Sequence, residues 1–270
     1  SNVLDLVHSL EKCIDDVKTW MCDNKLQLND DKTEIILCNP KKYPIDVTEL
    51  TVGNGTVKFT KSAKNLGVCF DDDLSMNTHV VNISKAVYFE IIRLKHMSKY
   101  VSENSLKTLA ASFILSRFDY CNSLFIGMNF SLCDKLQKLQ NFAAKVILGK
   151  SLYDHVTPCL IHLHWLPIKF RIDYTISLLV FKCLNGLAPS YLSNLVEMYV
   201  PSRNLRSINQ YKLKTNVTKF KTLGDRSFSS AAPSVWNALP LEIRREKSIY
   251  IFKKNLKTFY FKEFIKSKNL

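Results

Sequence analysis

The sequence has few of the residues that produce flexible or repetitive chains, with only 7 glycines and 8 prolines among 270 residues. Since 46% of the residues are apolar, this composition favours a folded core of one large or two modest domains. The eight cysteines include no C-x-x-C pair, which favours reduced thiols over a disulfide framework or a zinc ribbon. The longest clean apolar run, residues 174–181, is too short to span a bilayer.

Common catalytic motifs are also missing from the sequence. It contains no G-x-S-x-G, no glycine-rich phosphate loop and no H-E-x-x-H, so hydrolase, nucleotidase and metalloprotease functions have no support. No basic and then apolar leader is visible at the start, and the chain opens at Ser1 inside a helical pattern. We therefore expect an intracellular fragment, nuclear or cytoplasmic and not secreted.

Positive charge is abundant and unevenly distributed. The net charge is +14 and the isoelectric point is about 9.3, values that suit a polyanionic partner. Residues 1–80 carry 9 lysines, no arginine and 13 acids, a net of −4, whereas residues 81–270 carry 29 basic and 11 acidic residues, a net of +18. The positive field therefore belongs to the second part of the chain.

The first 72 residues predict a helix followed by three or four strands. Apolar side chains recur at helical spacing, and acidic residues and lysines occupy the opposite, solvent-facing side. The apolar positions are Leu4, Val7, Leu10, Ile14, Val17 and Met21. Residues 33–38 fit a short buried strand, Gly53-Asn54-Gly55 fits a hairpin turn, and a further strand is expected over residues 65–70. The pattern indicates part of an α+β domain with a small antiparallel sheet.

From residue 75 to about residue 198 the pattern is helical, so the fold class is α+β and predominantly α. The predicted helices cover residues 76–98, 103–126, 131–148, 155–163, 168–186 and 189–198. Gly127 and Gly149 stand where the second and third of them would stop. The fifth is apolar on nearly every face and is expected at the centre, and the last segment of the chain predicts a basic amphipathic helix docked on the core.

Three blocks of sequence resemble the downstream part of reverse transcriptases from jockey-like non-LTR retrotransposons, which are transposable elements. The first comprises Trp20, Met21, Asn24, Lys25, Leu26, Leu28, Asn29 and Lys32-Thr33-Glu34, then residues 66–71 (LGVCFD). The second comprises residues 116–124 (SRFDYCNSL) and residues 139–144 (LQNFAA). The third comprises residues 162–167 (HLHWLP), Arg171-Ile172, residues 201–207 (PSRNLRS), residues 232–237 (APSVWN) and Leu239-Pro240.

The resemblance implies the end of a polymerase palm at residues 1–73, a helical thumb at residues 74–198 and a basic C-terminal extension at residues 199–270. In that family the N-x-x-K lysine, here Lys32, lies near the phosphates of the incoming nucleotide, and the L-G-V-C-F element resembles the strand pair that grips the primer end. The RNA-directed DNA polymerase uses Mg²⁺ held by aspartates that lie upstream of this segment in the family. This chain is therefore expected to need no cofactor and to catalyse no polymerisation alone; the implied partners are nucleic acid and the upstream palm and fingers.

Three other constellations have the residue types of a functional site. Asp71, Asp72 and Asp73 match a catalytic F-x-D-D box by letters, but they follow Lys32 instead of preceding it, which favours a helix-capping role. The side chains of Cys159, His162 and His164 are of types that bind zinc, but a structural role in a packed corner of the fold is the favoured interpretation. The third, a contact between Arg117 and Asp119, is expected to be a structural ion pair or a tie to a neighbouring helix.

Lysines and arginines interleaved with aromatic residues predict contact with template–primer nucleic acid, an RNA–DNA hybrid or a duplex, driven by shape and charge with no membrane involved. The predicted contact residues are Lys32, Lys61, Lys64, Arg93, Lys95, Lys99, Lys135, Lys138, Lys145, Arg203 and Arg206. A solvated helix face is the simpler explanation for any single one of them. The alternative function is a host-retained helical module that binds a protein and has no polymerase role.

Overall fold

Helices dominate the computed structural model of this chain, which describes residues 3–29, 32–38, 49–52, 55–201, 210–218 and 223–268. The helices of these ranges are α1 (Val3–Asp23), α2 (Asn77–Met97), α3 (Glu103–Ala110), α4 (Ser116–Asp119), α5 (Phe130–Ile147), α6 (Thr157–His162), α7 (Ile168–Leu184), α8 (Ser190–Ser193), α9 (Phe228–Asn237), α10 (Leu241–Arg244) and α11 (Ile249–Ser267). The strands are β1 (Ile35–Ile36), β2 (Glu49–Val52), β3 (Gly55–Thr60), β4 (Ser62–Asn65) and β5 (Val68–Asp71). The predicted class, α+β and predominantly α, is confirmed.

The strands form two small sheets instead of the single antiparallel sheet that was expected. In the first, β2 and β3 form the predicted antiparallel pair, but β1 runs parallel to β3, so this sheet is mixed. In the second, β4 and β5 form an antiparallel hairpin in which Asn65 pairs with Val68. The prediction of one continuous strand over residues 65–70 was wrong, because Leu66 and Gly67 adopt positive φ angles of 46° and 86° and turn the chain.

The predicted helix over residues 103–126 is also interrupted. After α3, residues 111–115 form a π-helical turn in which the N–H of Ser116 bonds to the carbonyl of Ala111. The helix ends at Asp119, Cys121 adopts a left-handed φ of 52°, and a 3₁₀ turn covers Asn122–Phe125. The glycine predicted to end this helix, Gly127, therefore lies just beyond the 3₁₀ turn.

The prediction that Gly149 ends a helix is confirmed. With a φ of 60°, Gly149 donates its N–H to the carbonyl of Val146, and the N–H of Lys150 reaches the carbonyl of Lys145 at 2.9 Å. These two bonds form a Schellman motif, which satisfies the last carbonyls of α5.

Not all polar side chains of α5 face water. Gln140 is fully buried and donates from Nε2 to the carbonyl of Leu166 at 2.9 Å. One turn earlier, Oε1 of Gln137 accepts from the N–H of Ile168 at 2.9 Å and caps the start of α7. Two amides on α5 thus hold the turn that enters α7, because each satisfies a backbone group there.

Helix α7 lies at the centre of the helical part, as predicted. It contacts α4, α5, α8, α9, α11 and the 3₁₀ turn, and Val180 and Phe181 are completely buried. Helix α11 docks the apolar face predicted for it: Phe252 stacks on Phe181 with ring centroids 4.3 Å apart, and Tyr260 shares a buried hydrogen bond with Ser177.

The contacts divide the chain into two units, residues 1–81 and residues 82–270. The division falls within α2. The first unit contains α1 and both sheets, and the second contains α3 to α11. A further division near residue 198 stays a prediction. Within the described ranges, no helix combines the length and the apolar character that a transmembrane span requires.

Candidate nucleic-acid interface

In the first unit, two of the predicted contact lysines lie at the β4–β5 hairpin and a third lies in the segment beside it. Lys61 immediately precedes β4, Lys64 lies within it, and both are exposed. Glu34 accepts a hydrogen bond from the N–H of Lys64 at 3.0 Å, so the segment that carries Lys32 lies beside the same strand. The exposed Lys32 side chain is therefore in the neighbourhood of the hairpin.

The aspartates at the end of the hairpin bind the segment that leads into α2, and Asp71 caps that helix. The carboxylate of Asp71 accepts from the hydroxyl of Ser75 at 3.0 Å and from the N–H of Thr78 at 3.2 Å. Asp73 accepts from the N–H of Ser75 at 2.9 Å, two residues before α2 begins, so the capping role predicted for Asp73 was wrong; the Ser75 hydroxyl accepts from the N–H of Asn77 at 3.4 Å. Since carboxylates stabilise a helix N-terminus by accepting its free N–H groups, these contacts favour a structural role for the F-D-D-D segment.

In the second unit, two arginines from separate elements meet at one carboxylate. Glu90 Oε1 lies 3.3 Å from Nη1 of Arg93 on α2 and 3.9 Å from Nη2 of Arg117 on α4. Arg117 also donates from Nε to the carbonyl of Phe113 in the π-helical turn. Two guanidinium groups beside a single carboxylate leave a local excess of one positive charge, and both remain accessible, with side-chain exposures of 73% and 45%.

An exposed aromatic residue lies four positions, about one helical turn, before each arginine of this pair. Phe89 on α2 is 66% exposed and Phe113 in the π-helical turn is 48% exposed. Tyr88 contacts Phe142 of α5 with ring centroids 6.3 Å apart, so α2 touches α5 at this point. We call Phe89, Arg93, Phe113 and Arg117 the arginine–aromatic surface. Cationic and aromatic groups in such proximity provide both phosphate contacts and stacking platforms.

The other predicted contact residues of the second unit differ in whether their side chains are exposed or make contacts within the chain. Lys95 and Lys99 are exposed at the end of α2, and Lys135 is exposed on α5. Lys138 pairs with Asp134 at 2.8 Å on the same helix, and Lys145 donates to the carbonyl of Leu152. Lys145 is thus committed to an internal contact. The residues Arg203 and Arg206 lie outside the described residues.

The prediction that Arg117 and Asp119 contact each other was wrong, because each pairs with another residue. Asp119 binds Arg171 of α7, and Arg117 binds Glu90 as described above. The two side chains diverge because helical positions two residues apart point to different sides. The tie to a neighbouring helix that was the expected role of Asp119 is confirmed, with α7 as the neighbour.

The Cys159, His162 and His164 group does not converge on one point, and the expected packed corner is only partly present because both histidines are exposed. Cys159 is buried, whereas Nε2 of His162 lies 3.1 Å from Oε1 of Glu103 on α3. Lys107 also pairs with Glu103, and these two hydrogen bonds lower the pKa of the Glu103 carboxyl. The described residues include no group of three or more side chains able to hold a metal ion.

Sequence reasoning missed Arg117 and Glu90 as members of the interface. The contact of Arg117 with Glu90 depends on how α4 is rotated after the π-helical turn, and the sequence carries no clear signal for that turn. Comparisons of the chain with protein-family models, with curated proteins and with solved structures find no match.

Proposed function

We propose that this chain is the terminal palm segment, thumb and basic C-terminal region of a retrotransposon reverse transcriptase, and that it binds template–primer nucleic acid through the thumb. The proposal rests on the sequence blocks that resemble that family and on the charge of residues 81–270. The arginine–aromatic surface is the observation that carries it, because exposed guanidinium and phenyl groups from two elements suit a sugar-phosphate strand and its bases.

The first unit supports the same proposal. The β4–β5 hairpin lies where the family resemblance implies the strand pair that grips the primer, and it carries Lys64 on its edge. Asp71 caps α2 and Asp73 binds the N–H of Ser75 just before that helix, so the metal-binding aspartates of the polymerase would come from an upstream segment. Polymerisation, with Mg²⁺, would then need that segment as a partner, in an intracellular compartment where template is present.

Helix α1 offers a surface for that upstream partner. Four large apolar side chains at helical spacing are exposed along it, namely Leu6, Leu10, Val17 and Trp20. Exposed apolar stripes of this kind mark surfaces that bind another protein segment. The remainder of the palm is the segment that the proposed function assigns to this stripe.

Binding to an RNA–DNA hybrid at two or more salt concentrations tests the proposal. The full chain should bind a fluorescent hybrid with an affinity that falls steeply as salt rises, because phosphate contacts release counterions. The variant R93E/K95E/K99E should bind at least about tenfold more weakly and show a smaller salt slope, by about 0.9 for each phosphate that the variant no longer neutralises.

A second triple variant serves as the matched control. Lys253, Lys254 and Lys262 are exposed on α11, and K253E/K254E/K262E changes the net charge by the same amount. Affinity should fall much less in this variant. Equal reductions in both variants would mean that net charge, and no particular surface, drives binding.

The alternative function, a helical module that binds a protein, makes the opposite prediction for the same experiment. Such a module needs no phosphate contacts, so the chain would fail to bind the hybrid even at low salt. The exposed apolar stripe of α1 suits either function, and the salt titration is therefore the measurement that separates them.

A further inference from the structure

A pocket of about 310 Å³ opens in the second unit between the 3₁₀ turn, α5 and α7. Its lining is mainly apolar and includes Phe125, Met128, Phe130 and Ile172. The carboxyl group of Asp173 also lines it, on the α7 side. Small-molecule sites typically have this construction, with mostly apolar walls and a few polar groups that fix the orientation of the ligand.

The Asp173 carboxylate has no hydrogen-bond or ion-pair partner among the described residues. Its backbone carbonyl accepts from the hydroxyl of Ser177, but no donor from the described part of the chain reaches the side-chain oxygens. Lys169, one turn earlier on α7, is close enough to lower the pKa of the carboxyl without forming an ion pair. Burial outweighs that lysine and raises the pKa to about 6, so the group is ionised at neutral pH, half-buried against the apolar wall of the pocket.

A half-buried carboxylate against apolar walls loses part of its hydration, and a bound positive charge with N–H donors would compensate that loss. We propose that this pocket binds an organic monocation, with an alkyl- or arylammonium head on the Asp173 carboxylate and an apolar body against Met128 and Phe130. The ammonium supplies the charge and the donors, and the aromatic ring adds a favourable face for a cation. This ligand has the opposite charge to nucleic acid, and the pocket lining shares no residue with the arginine–aromatic surface.

The charged and titratable groups around the pocket are consistent with a single negative site. Cys133 of α5 lines the pocket, and burial raises the pKa of its thiol, so it is neutral. Burial likewise raises the pKa of the Tyr260 hydroxyl on α11. Arg226 contacts the neighbouring turn by donating from Nε to the carbonyl of Ile126. Among the described residues, Lys169 is the cation that lines the pocket, and it is the natural competitor of the ligand.

Methionine methyl NMR provides the test, because the full chain contains only 5 methionines and Met128 lies in the pocket wall. Benzylamine is titrated at pH 7.5 into protein labelled with ¹³C at the methionine methyl groups, with M128L identifying the Met128 resonance. The Met128 signal should shift and saturate while the other four stay in place. In D173N the affinity should fall at least about tenfold, because the amide cannot form the charge-assisted hydrogen bond.

Three further measurements separate charge recognition from apolar partitioning. Benzyl alcohol, which has the same body and no charge, should bind wild type and D173N equally. For wild type, the affinity for benzylamine should fall about tenfold between pH 7.5 and pH 5 as Asp173 becomes protonated, whereas D173N should show no such change. K169Q removes the competing cation and should bind benzylamine more tightly, which keeps the proposal testable if D173N fails to fold.

The ammonium could belong to a free amine or to a lysine side chain of a protein partner. A blocked lysine, N-acetyl-lysine methylamide, distinguishes the two sources: tighter binding than benzylamine favours a partner's side chain, and weaker binding favours a free arylamine. Equal affinity of wild type and D173N for benzylamine, or a Met128 signal that never saturates, would overturn the proposal.

Discussion

The guanidinium of Arg171 donates two hydrogen bonds to the carboxylate of Asp119, which lies 52 positions earlier in the chain. Nε lies 2.8 Å from Oδ1, and Nη2 bonds Oδ2. The arginine side chain is only 15% exposed, whereas the aspartate is 47% exposed. This bidentate pair joins α4 to the central helix α7, and its planar geometry restricts how the two can be oriented.

Replacing Asp119 should therefore cost more than replacing an exposed carboxylate. We expect D119N to lower the free energy of unfolding by about 1–3 kcal/mol, because it leaves a mostly buried guanidinium with weaker acceptors. Urea unfolding monitored by circular dichroism measures this. The control is D134N, which removes the exposed pair with Lys138 and should cost at most about 0.5 kcal/mol. Equal costs would contradict the assigned role.

Replacing Asp173 should have the opposite effect on stability. Because its pKa is raised to about 6 from 3.8, the folded state binds the proton more tightly than the unfolded state does, so stability falls as pH rises from about 4 to about 6. We expect D173N to increase the free energy of unfolding by about 2 kcal/mol at pH 7 and to have little effect at pH 4. Unfolding curves at both values of pH would show this convergence, and parallel curves would contradict it.

Gly127 is expected to tolerate substitution less well than Gly149, although both have positive φ angles of 64° and 60°. A Cβ at position 127 would lie 2.7 Å from Cγ of Arg226, whereas nothing lies within 4 Å of one at position 149. We expect G149A to cost about 1 kcal/mol, from backbone strain alone, and G127A to cost about 2–3 kcal/mol. Thermal unfolding of both variants measures the difference.

A double variant isolates the steric part of the Gly127 effect. In G127A/R226A the clash is removed but the strain remains, so the cost of the glycine substitution on the R226A background should approach that of G149A. R226A alone removes the hydrogen bond to the carbonyl of Ile126 and provides the reference. An unchanged cost on that background would show that Arg226 is not the obstacle.

Asn237 should be important for the segment around Leu213. Its side chain accepts from the N–H of Leu213 at 2.8 Å and donates to the carbonyl of the same residue at 2.9 Å. Because Leu213 is only 2% exposed, N237A would leave two buried backbone groups unpaired, and we expect it to cost about 2–4 kcal/mol. The control S234A, at an exposed position of the same helix, should cost less than about 0.5 kcal/mol by the same unfolding measurement.

Helical periodicity predicted most of the helices, because the apolar stripe of α5 and the fully apolar α7 reflect burial directly. It could not predict the buried position of Gln140, whose amide reaches the carbonyl of Leu166, a contact between residues 26 positions apart. The turn at Leu66 was missed because a leucine at positive φ violates the ordinary preference of a bulky side chain. Where local preference and tertiary packing disagree, sequence patterns follow the former.

The positive charge of the candidate interface could be predicted from the sequence, but the residues that form it could not. Lysines and arginines of α2 were identified by their type and number, yet the same criterion also selected Lys145, whose ammonium is directed to the carbonyl of Leu152. The meeting of Arg93 and Arg117 at Glu90 depends on the relative placement of two helices. The Asp173 pocket had no sequence signal, because one acidic residue in an apolar helix has none until the surrounding walls are known.

The π-helical turn at residues 111–115 determines in which direction the side chains of the following helix, α4, point around the helix axis. Removing one residue there would restore regular α-helical bonding and turn Arg117 and Asp119 by about 100° around the axis. Arg117 would swing away from Glu90, and Asp119 would separate from Arg171 at the same moment. The π-helical turn therefore sets the direction of both side chains, and the Arg117–Glu90 and Asp119–Arg171 contacts both depend on it.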